Sequence, residues 1–219
     1  MSEQRWIPLE SNPDYIRNLG VPENVEFCDI FGTEADLLAM VPKPVLAVVL
    51  LFPINEKTEQ NPIGEVKPES DVFFVKQTIR NACGTVAIVH SLANNDDKID
   101  FAVGKPFKKF LEETLNLTPQ DRADYLEKDM DMGRAHESTA QEGQTQAPSR
   151  EDEVNTHFVA FVHKNGNLYE LDGRKDAPTH HGTTTADTLL EDAIVVAKKF
   201  MARDPEQLNF TLMALAAAQ

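Results

Sequence analysis

Hydrophobic residues along the chain fall into segments whose spacing predicts both strands and helices. Val45–Phe52 is a continuous run of β-favouring apolar residues with prolines at its borders. This pattern is typical of a strand that is covered on both faces, so we expect a central strand there. Phe107–Leu115 has helical spacing, and Thr118 with the following proline marks a second amphipathic helix that runs to Met130. The pattern predicts an α+β domain.

Shorter segments in the first third of the chain carry local signals. Val25–Ile30 is expected to form a short strand with Cys28 facing inward, and Thr33 to cap a helix that runs to about Met40. Asn55–Ser70 is polar and contains two prolines, which predicts a surface loop without a functional site.

The segment from Gly133 to Glu153 loses its apolar periodicity and consists mostly of Gln, Glu, Ser, Thr and Ala. Loops of this length without regular structure are uncommon inside compact domains, and they tend to be active-site lids or disordered connectors. Because the next motif follows directly, we interpret residues 133–153 as a lid.

Composition and charge narrow the class of protein. The 219 residues are 41% hydrophobic, enough to bury one sizeable core, so we expect a single domain over residues 1–219. A net charge of −15 argues against nucleic acid and anionic membranes as partners and suits a basic partner.

The amino terminus has no apolar signal core, and the longest apolar run, Pro44–Ile54, is too short to span a bilayer. We expect a soluble, cytoplasmic monomer.

The chain has two cysteines, too few for a disulfide framework or a thiolate metal site. We expect no metal and no cofactor, and a reducing cytoplasm suits a working thiol. Cys28 is assigned to packing.

Cys83 lies where an apolar helix is expected to begin. With Asn81 as the N-cap, the unpaired N–H groups and the dipole of the first turn favour the thiolate at Cys83. Gly84 lets a substrate backbone approach the sulfur. Gln77, on the preceding turn, is a candidate oxyanion donor together with the Cys83 N–H. A cysteine in an apolar helix is more often a packing residue, so a nucleophile requires a base and an orienting group elsewhere.

A predicted hairpin supplies both groups. Asn165-Gly166 between two β-favouring runs is the strongest short hairpin signal. With a two-residue loop, His157 lies diagonal to Asp172 on one face, which gives a base and its orienting carboxylate. A three-residue loop would instead pair His157 with Gly173 and send Asp172 to the other face. The assignment therefore depends on the turn.

Other histidines compete for these roles. His90 lies two turns along the same helix, roughly 10 Å past Cys83, and His163 lies beside the turn. The adjacent His180 and His181 lack a third ligand of suitable spacing, so we interpret them as structural or surface residues rather than a metal site.

Several segments together resemble the ubiquitin carboxyl-terminal hydrolases, a branch of the papain-like cysteine proteases, over essentially the whole chain. The resemblance implies that Cys83 is the nucleophile, Gln77 the oxyanion residue, His157 the base and Asp172 the orienting group. The most specific segments are Arg5–Glu10, Gln77–Ile79, Asn81–Thr85, His157-Phe158, Leu168–Arg174 and Lys198–Met201.

The same resemblance implies a papain-like fold, with a central six-stranded antiparallel sheet flanked by helices and a knotted backbone, although knots are otherwise rare. It also implies that residues 133–153 form a crossover loop over the active site. The expected activity is that of a thiol-dependent deubiquitinase that releases small adducts or short peptides from the carboxyl-terminal glycine of ubiquitin. Glu10, Asp14 and Asp29 are the expected contacts to this basic partner.

Two alternatives stay open from the sequence. The chain is either a hydrolase or a ubiquitin-binding or ubiquitin-stabilising protein whose hydrolysis is incidental. The second alternative is a papain-like hydrolase that acts mainly on a related ubiquitin-like modifier ending in Gly-Gly.

Overall fold

The computed structural model describes residue 6, residues 13–141 and residues 155–218. Over these residues the chain folds into one mixed sheet-and-helix arrangement. The elements are α1 Pro13–Leu19, β1 Val25–Asp29, α2 Ala35–Leu38, β2 Val45–Pro53, α3 Glu56–Gln60, β3 Glu65–Val66, α4 Cys83–Ala93, α5 Pro106–Thr114, α6 Pro119–Lys128, α7 Met130–Gln141, β4 Thr156–Lys164, β5 Asn167–Leu171, β6 Thr179–Thr183, α8 Leu189–Ala202 and β7 Thr211–Ala217.

The strands form one sheet in the order β1-β7-β2-β4-β5-β6-β3, and each neighbouring pair is antiparallel. The predicted antiparallel sheet between helices is confirmed. Within the described part of the chain it has seven strands instead of six, because the two-residue β3 pairs with β6 at one edge. β2 lies between β7 and β4, which confirms the central strand predicted from its apolar run.

Helices bury both faces of the sheet. On one face, alternate residues of β2 such as Ala47 and Val49 pack with apolar residues of α1, α4, α5, α6 and α7. On the other face, Val48, Leu50 and Phe52 pack against α8 and the buried residue of α2. Alternation of the side chains along a strand explains how one continuous apolar run serves two cores.

Two local predictions in the first third of the chain are wrong. Thr33 does not cap α2, because the N-cap position is Glu34, which makes no side-chain cap hydrogen bond. The loop predicted over Asn55–Ser70 contains α3 and β3. α3 forms because the side chain of Asn55 accepts a hydrogen bond from the Thr58 N–H at 3.0 Å, and the hydroxyl of Thr58 accepts one from the Asn55 N–H at 2.9 Å.

The loop predicted from Gly133 is also wrong over residues 133–141, which belong to α7. The buried face of this helix carries Met132, His136, Thr139 and Ala140, at helical spacing. Most of these residues are small or polar, so a search for apolar periodicity misses the stripe. The remainder of the expected crossover loop, residues 142–153, lies outside the described residues, and the crossover loop and the knot stay predictions.

No helix among the described residues is both long and apolar enough to cross a membrane. Over residues 13–141 and 155–218, moreover, no three His, Cys, Asp or Glu side chains are grouped so that they could hold a metal ion.

Candidate active site

Cys83 is the first residue of α4, as predicted. The cap differs from the prediction, because Ala82 takes the N-cap position and Asn81 has a φ of 62°. A left-handed residue turns the incoming chain sharply, and asparagine tolerates this conformation better than most residues. The thiol is partly exposed, whereas Gly84 and Thr85 after it are buried. The helix therefore presents the sulfur at the end where its N–H groups are unpaired.

The β4–β5 hairpin has the two-residue loop on which the assignment of the base depends. Lys164 pairs with Asn167 across the loop, and both loop residues, Asn165 and Gly166, have positive φ values of 50° and 76°. The register continues to the end of β5, and Asp172 follows directly. The structure thus confirms the predicted register.

His157 and Asp172 form a buried pair. Nε2 of His157 lies 2.7 Å from Oδ1 of Asp172. The imidazole is also fixed by Phe52, its partner across β2 and β4, which meets it edge-on with ring centroids 5.9 Å apart. Packing and a hydrogen bond thus set the orientation of the ring.

Arg174 is a residue of the site that sequence reasoning did not single out. Its Nη2 donates to Oδ2 of Asp172 at 2.9 Å, and its backbone N–H donates to Oδ1 at 2.9 Å. Its Nη1 reaches Glu59 of α3 at 3.2 Å. Burial raises the pKa of Asp172, but hydrogen bonds and charge from His157 and Arg174 outweigh it and hold that pKa well below its usual range. The carboxylate is therefore ionised at neutral pH.

His157 also forms a hydrogen bond with Cys83. Because Nε2 is used by Asp172, Nδ1 is the ring nitrogen left for the sulfur. Burial alone would raise the pKa of the Cys83 thiol, but the hydrogen bond and charge of His157, with backbone N–H groups of Phe158 and Gly84, lower it. Burial alone would lower the pKa of His157, but the hydrogen bonds to Asp172 and Cys83 raise it. Both shifts favour a thiolate beside an imidazolium.

Gln77 lies in the segment before α4 and is held against the turn that follows Asp172. Its backbone N–H donates to the carbonyl of Gly173 at 2.8 Å, and its Nε2 donates to the carbonyl of Ile79 at 3.3 Å. A side-chain amide carries two hydrogens, so the bond to Ile79 uses one of them. The amide oxygen is buried without a hydrogen-bond partner.

The competing histidines are held in other contacts. Nε2 of His90 accepts from the Val75 N–H at 2.9 Å, and burial lowers the pKa of His90 to about 4. Nε2 of His163 accepts from the Gly166 N–H inside the hairpin turn. His180 contacts Asn167, and His181 contacts a buried glutamate, which agrees with the structural interpretation of this pair.

Of the three predicted ubiquitin contacts, one lies away from this cluster, and the side chains of the other two are outside the described residues. Glu10 is outside the described residues, and so is the side chain of Asp14. Asp29 is exposed at the end of β1, the terminal strand of the sheet.

The chain matches known proteins over most of its length. Residues 6–202 match the family model described as "Ubiquitin carboxyl-terminal hydrolase, family 1". A ubiquitin carboxyl-terminal hydrolase of Aplysia californica is 59% identical over 211 residues, which cover 94% of this chain and 99% of the relative. Isozyme L1 of Rattus norvegicus is 41% identical, with coverage of 96% and 98%.

Among solved structures, the catalytic domain of Trichinella spiralis UCH37 bound to ubiquitin vinyl methyl ester matches with a TM-score of 0.80. Its sequence is 26% identical, and the match covers 100% of this chain and 98% of that chain. Similarity of the backbone thus extends over the sheet and the helices that carry the site.

Proposed function

The chain belongs to ubiquitin carboxyl-terminal hydrolase family 1, whose members are cysteine-type hydrolases, and from this premise we propose that it releases small adducts or short peptides from the carboxyl-terminal glycine of ubiquitin. The observation that carries the proposal is the continuous hydrogen-bonded series from Cys83 through His157 to Asp172. A nucleophile, a base and an orienting group in this order form a catalytic triad.

In the proposed reaction His157 holds the proton of Cys83, and the thiolate attacks the carbonyl of the terminal glycine. The tetrahedral oxyanion accepts hydrogen bonds from the Cys83 N–H and from the side-chain amide of Gln77. His157 then gives its proton to the departing amine or thiol, which leaves a thioester. His157 takes a proton from water, the hydroxide attacks the thioester, and the ubiquitin carboxylate and free thiol are released. Asp172 holds the imidazolium in place throughout.

Ubiquitin as the substrate is supported by the names of the relatives and by the ubiquitin ester bound to the Trichinella spiralis protein. The net charge of −15 suits a basic partner. We propose Glu10, Asp14 and Asp29 as contacts to this partner. Surface carboxylates act mainly on the association rate, so neutralising all three together should slow association and weaken its dependence on salt. An unchanged association rate in stopped-flow fluorescence would remove these contacts from the proposal.

The size of the leaving group is limited in this proposal by the segment that follows α7. α7 packs against α1 and α5 and leads into residues 142–154. If that segment crosses the site, a flexible tail ending in Gly-Gly threads beneath it, and a large folded leaving group does not. We further propose that residues 1–219 form one catalytic domain that works as a monomer in the reducing cytoplasm, where both cysteines remain free thiols, as they are in the structure.

The test is hydrolysis of ubiquitin that carries a small fluorescent amide at its carboxyl terminus, under reducing conditions. The wild-type protein is compared with Cys83→Ala and with the matched control Cys28→Ala, which removes the other thiol. Fast release by wild type and Cys28→Ala, with none by Cys83→Ala, supports the proposal.

Two other outcomes contradict it. Tight ubiquitin binding by the wild type without release of the fluorophore would indicate a ubiquitin-binding protein. Neither binding nor release of ubiquitin, with release from a related Gly-Gly modifier, would assign the activity to that modifier.

A further inference from the structure

The turn after β5 touches both halves of the proposed catalytic apparatus. It is closed by a hydrogen bond from the Lys175 N–H to the carbonyl of Asp172, at 2.9 Å. The carboxylate of Asp172 lies against His157, and the carbonyl of Gly173 accepts the backbone N–H of Gln77. A displacement of this turn would move the orienting group and the oxyanion residue together.

The side chain of Lys175 connects the turn to the strands on either side of it. Its Nζ donates to Oε1 of Glu170 at 2.6 Å and to the hydroxyl of Thr179 at 2.8 Å. Lys175 therefore joins the last part of β5, the turn and the first residue of β6. Charge-assisted hydrogen bonds of this length are among the stronger polar contacts in proteins.

Glu170 is the anchor of this arrangement, and its side chain is only 1% exposed. Its second oxygen, Oε2, accepts a hydrogen bond from Nε2 of His181 at 2.7 Å, and the side chain of His181 is 2% exposed. A buried carboxylate is tolerated only when it is paired, so both partners are needed where they are. Gly64 leaves room for His181, because a Cβ at that position would lie 2.6 Å from its Cε1.

We propose that Lys175, bound to the buried Glu170, is a positioning residue that holds the turn so that Asp172 and Gln77 stay in their working orientations. This inference rests on the proposed function, because it assumes the roles of those two residues. Lys175 itself touches none of the reacting groups. Its effect is to restrict the turn that begins at Asp172, directly after the end of β5.

The experiment compares Lys175→Met, which keeps a long apolar side chain and removes the ammonium, with Lys175→Arg, which keeps a cation. Lys199→Met, at an exposed position of α8, is the matched control for loss of a lysine. Two assays are run at a temperature where all variants are folded. The first gives kcat and KM for the ubiquitin amide, and the second gives the pH dependence of Cys83 alkylation by iodoacetamide. Glu170→Gln provides a second removal of the ion pair if Lys175→Met does not fold.

We expect Lys175→Met to lower kcat about tenfold, the order of loss for a misplaced catalytic group, while KM changes less than about twofold. The midpoint of Cys83 alkylation should move to higher pH, because His157 is less firmly oriented. Lys175→Arg should restore much of the kcat and of the alkylation midpoint, and Lys199→Met should match the wild type. Lower stability alone would reduce the amount of active protein without moving the alkylation midpoint.

The proposal is overturned if Lys175→Met and Glu170→Gln keep the wild-type kcat and alkylation midpoint. This failure differs from failure of the proposed function. In the latter case the wild-type protein itself would release no fluorophore, whatever the behaviour of the variants.

Discussion

The two cysteines of this chain provide an internal comparison for the influence of His157. The pKa of Cys83 is lowered, because the hydrogen bond and charge of His157 overcome burial. The pKa of Cys28 is raised, first by burial and then by the charge of Glu26. Replacing His157 with Gln removes the cation and leaves burial as the main influence on Cys83. The thiol of Cys83 should then behave more like that of Cys28.

The size of the effect follows from two opposing trends. Below its pKa a thiol gains about tenfold in thiolate fraction for each unit by which the pKa falls, while intrinsic nucleophilicity falls by roughly threefold per unit. The net gain in reactivity is thus about threefold for each unit by which the pKa falls. At pH 6 we expect wild-type Cys83 to react at least about tenfold faster than Cys28, and His157→Gln to abolish most of that advantage.

The pH range of the thiolate–imidazolium pair follows from the same shifts. As the pH falls through the pKa of Cys83, the thiolate is protonated, and as it rises through the pKa of His157, the imidazolium is lost. The lowered pKa of Cys83 moves the acid limit of the pair to lower pH, and the raised pKa of His157 moves its alkaline limit to higher pH. Hydrolysis should therefore show a broad bell-shaped dependence on pH whose two limbs report these groups.

The assay is a short exposure to iodoacetamide at several pH values from about 5 to 9, with both cysteine peptides quantified in one sample by mass spectrometry. His163→Gln is the control, since His163 accepts a hydrogen bond within the hairpin turn instead of contacting Cys83. An unchanged ratio of Cys83 to Cys28 labelling at pH 6 in His157→Gln would refute the ion-pair argument.

Three further substitutions test the packing near the site and elsewhere in the fold. Gly173→Ala should lower kcat/KM by at least about tenfold, because the added Cβ would lie 2.9 Å from Cβ of Gln77 and displace it. Gly133→Ala in α7, where a Cβ meets nothing within 4 Å, should leave the rate unchanged. Arg122→Met should lower the free energy of unfolding by about 3 kcal/mol, because it removes three hydrogen bonds from the guanidinium, to the carbonyls of Thr114, Phe74 and Leu115, each worth about 1 kcal/mol. Urea denaturation measures this loss, and a change below about 1 kcal/mol would contradict it.

The parts of the fold that could be predicted well are those whose conformation is determined by a few neighbouring residues. The Asn165-Gly166 loop permits the positive φ values of a tight hairpin turn, and the loop length then fixes every pairing along β4 and β5. His157 and Asp172 could be placed for this reason, before any tertiary contact was known. The resemblance to the ubiquitin carboxyl-terminal hydrolases, and the enzyme class it implied, are confirmed by the family match.

The parts that were missed depend on contacts distant in sequence. The buried stripe of α7 includes His136 and Thr139. Both side chains are polar, and they are buried only because other elements cover them. Arg174 belongs to the site through contacts with Asp172 and with Glu59, and Glu59 lies on a helix where a loop was predicted. The spacing of hydrophobic residues in a sequence predicts neither a buried stripe of polar residues nor an ion pair between side chains.

The position of Cys83 depends on buried polar contacts as well as on the apolar core. Oγ1 of Thr85, in the first turn of α4, lies 2.9 Å from the hydroxyl of Tyr15 and 2.8 Å from Nδ1 of His136. These contacts join α4 to α1 and α7, and the ring of Trp6 packs on His136 with centroids 4.3 Å apart. Because all of these side chains are buried, moving the first turn of α4 would leave polar groups without partners, at a cost comparable to a lost hydrogen bond for each. Cys83 is thus fixed from the helical side, while the hairpin and its anchored turn fix His157 and Asp172 from the sheet side. The alignment of Cys83, His157 and Asp172 is a property of how these two layers pack, which no single segment of the sequence contains.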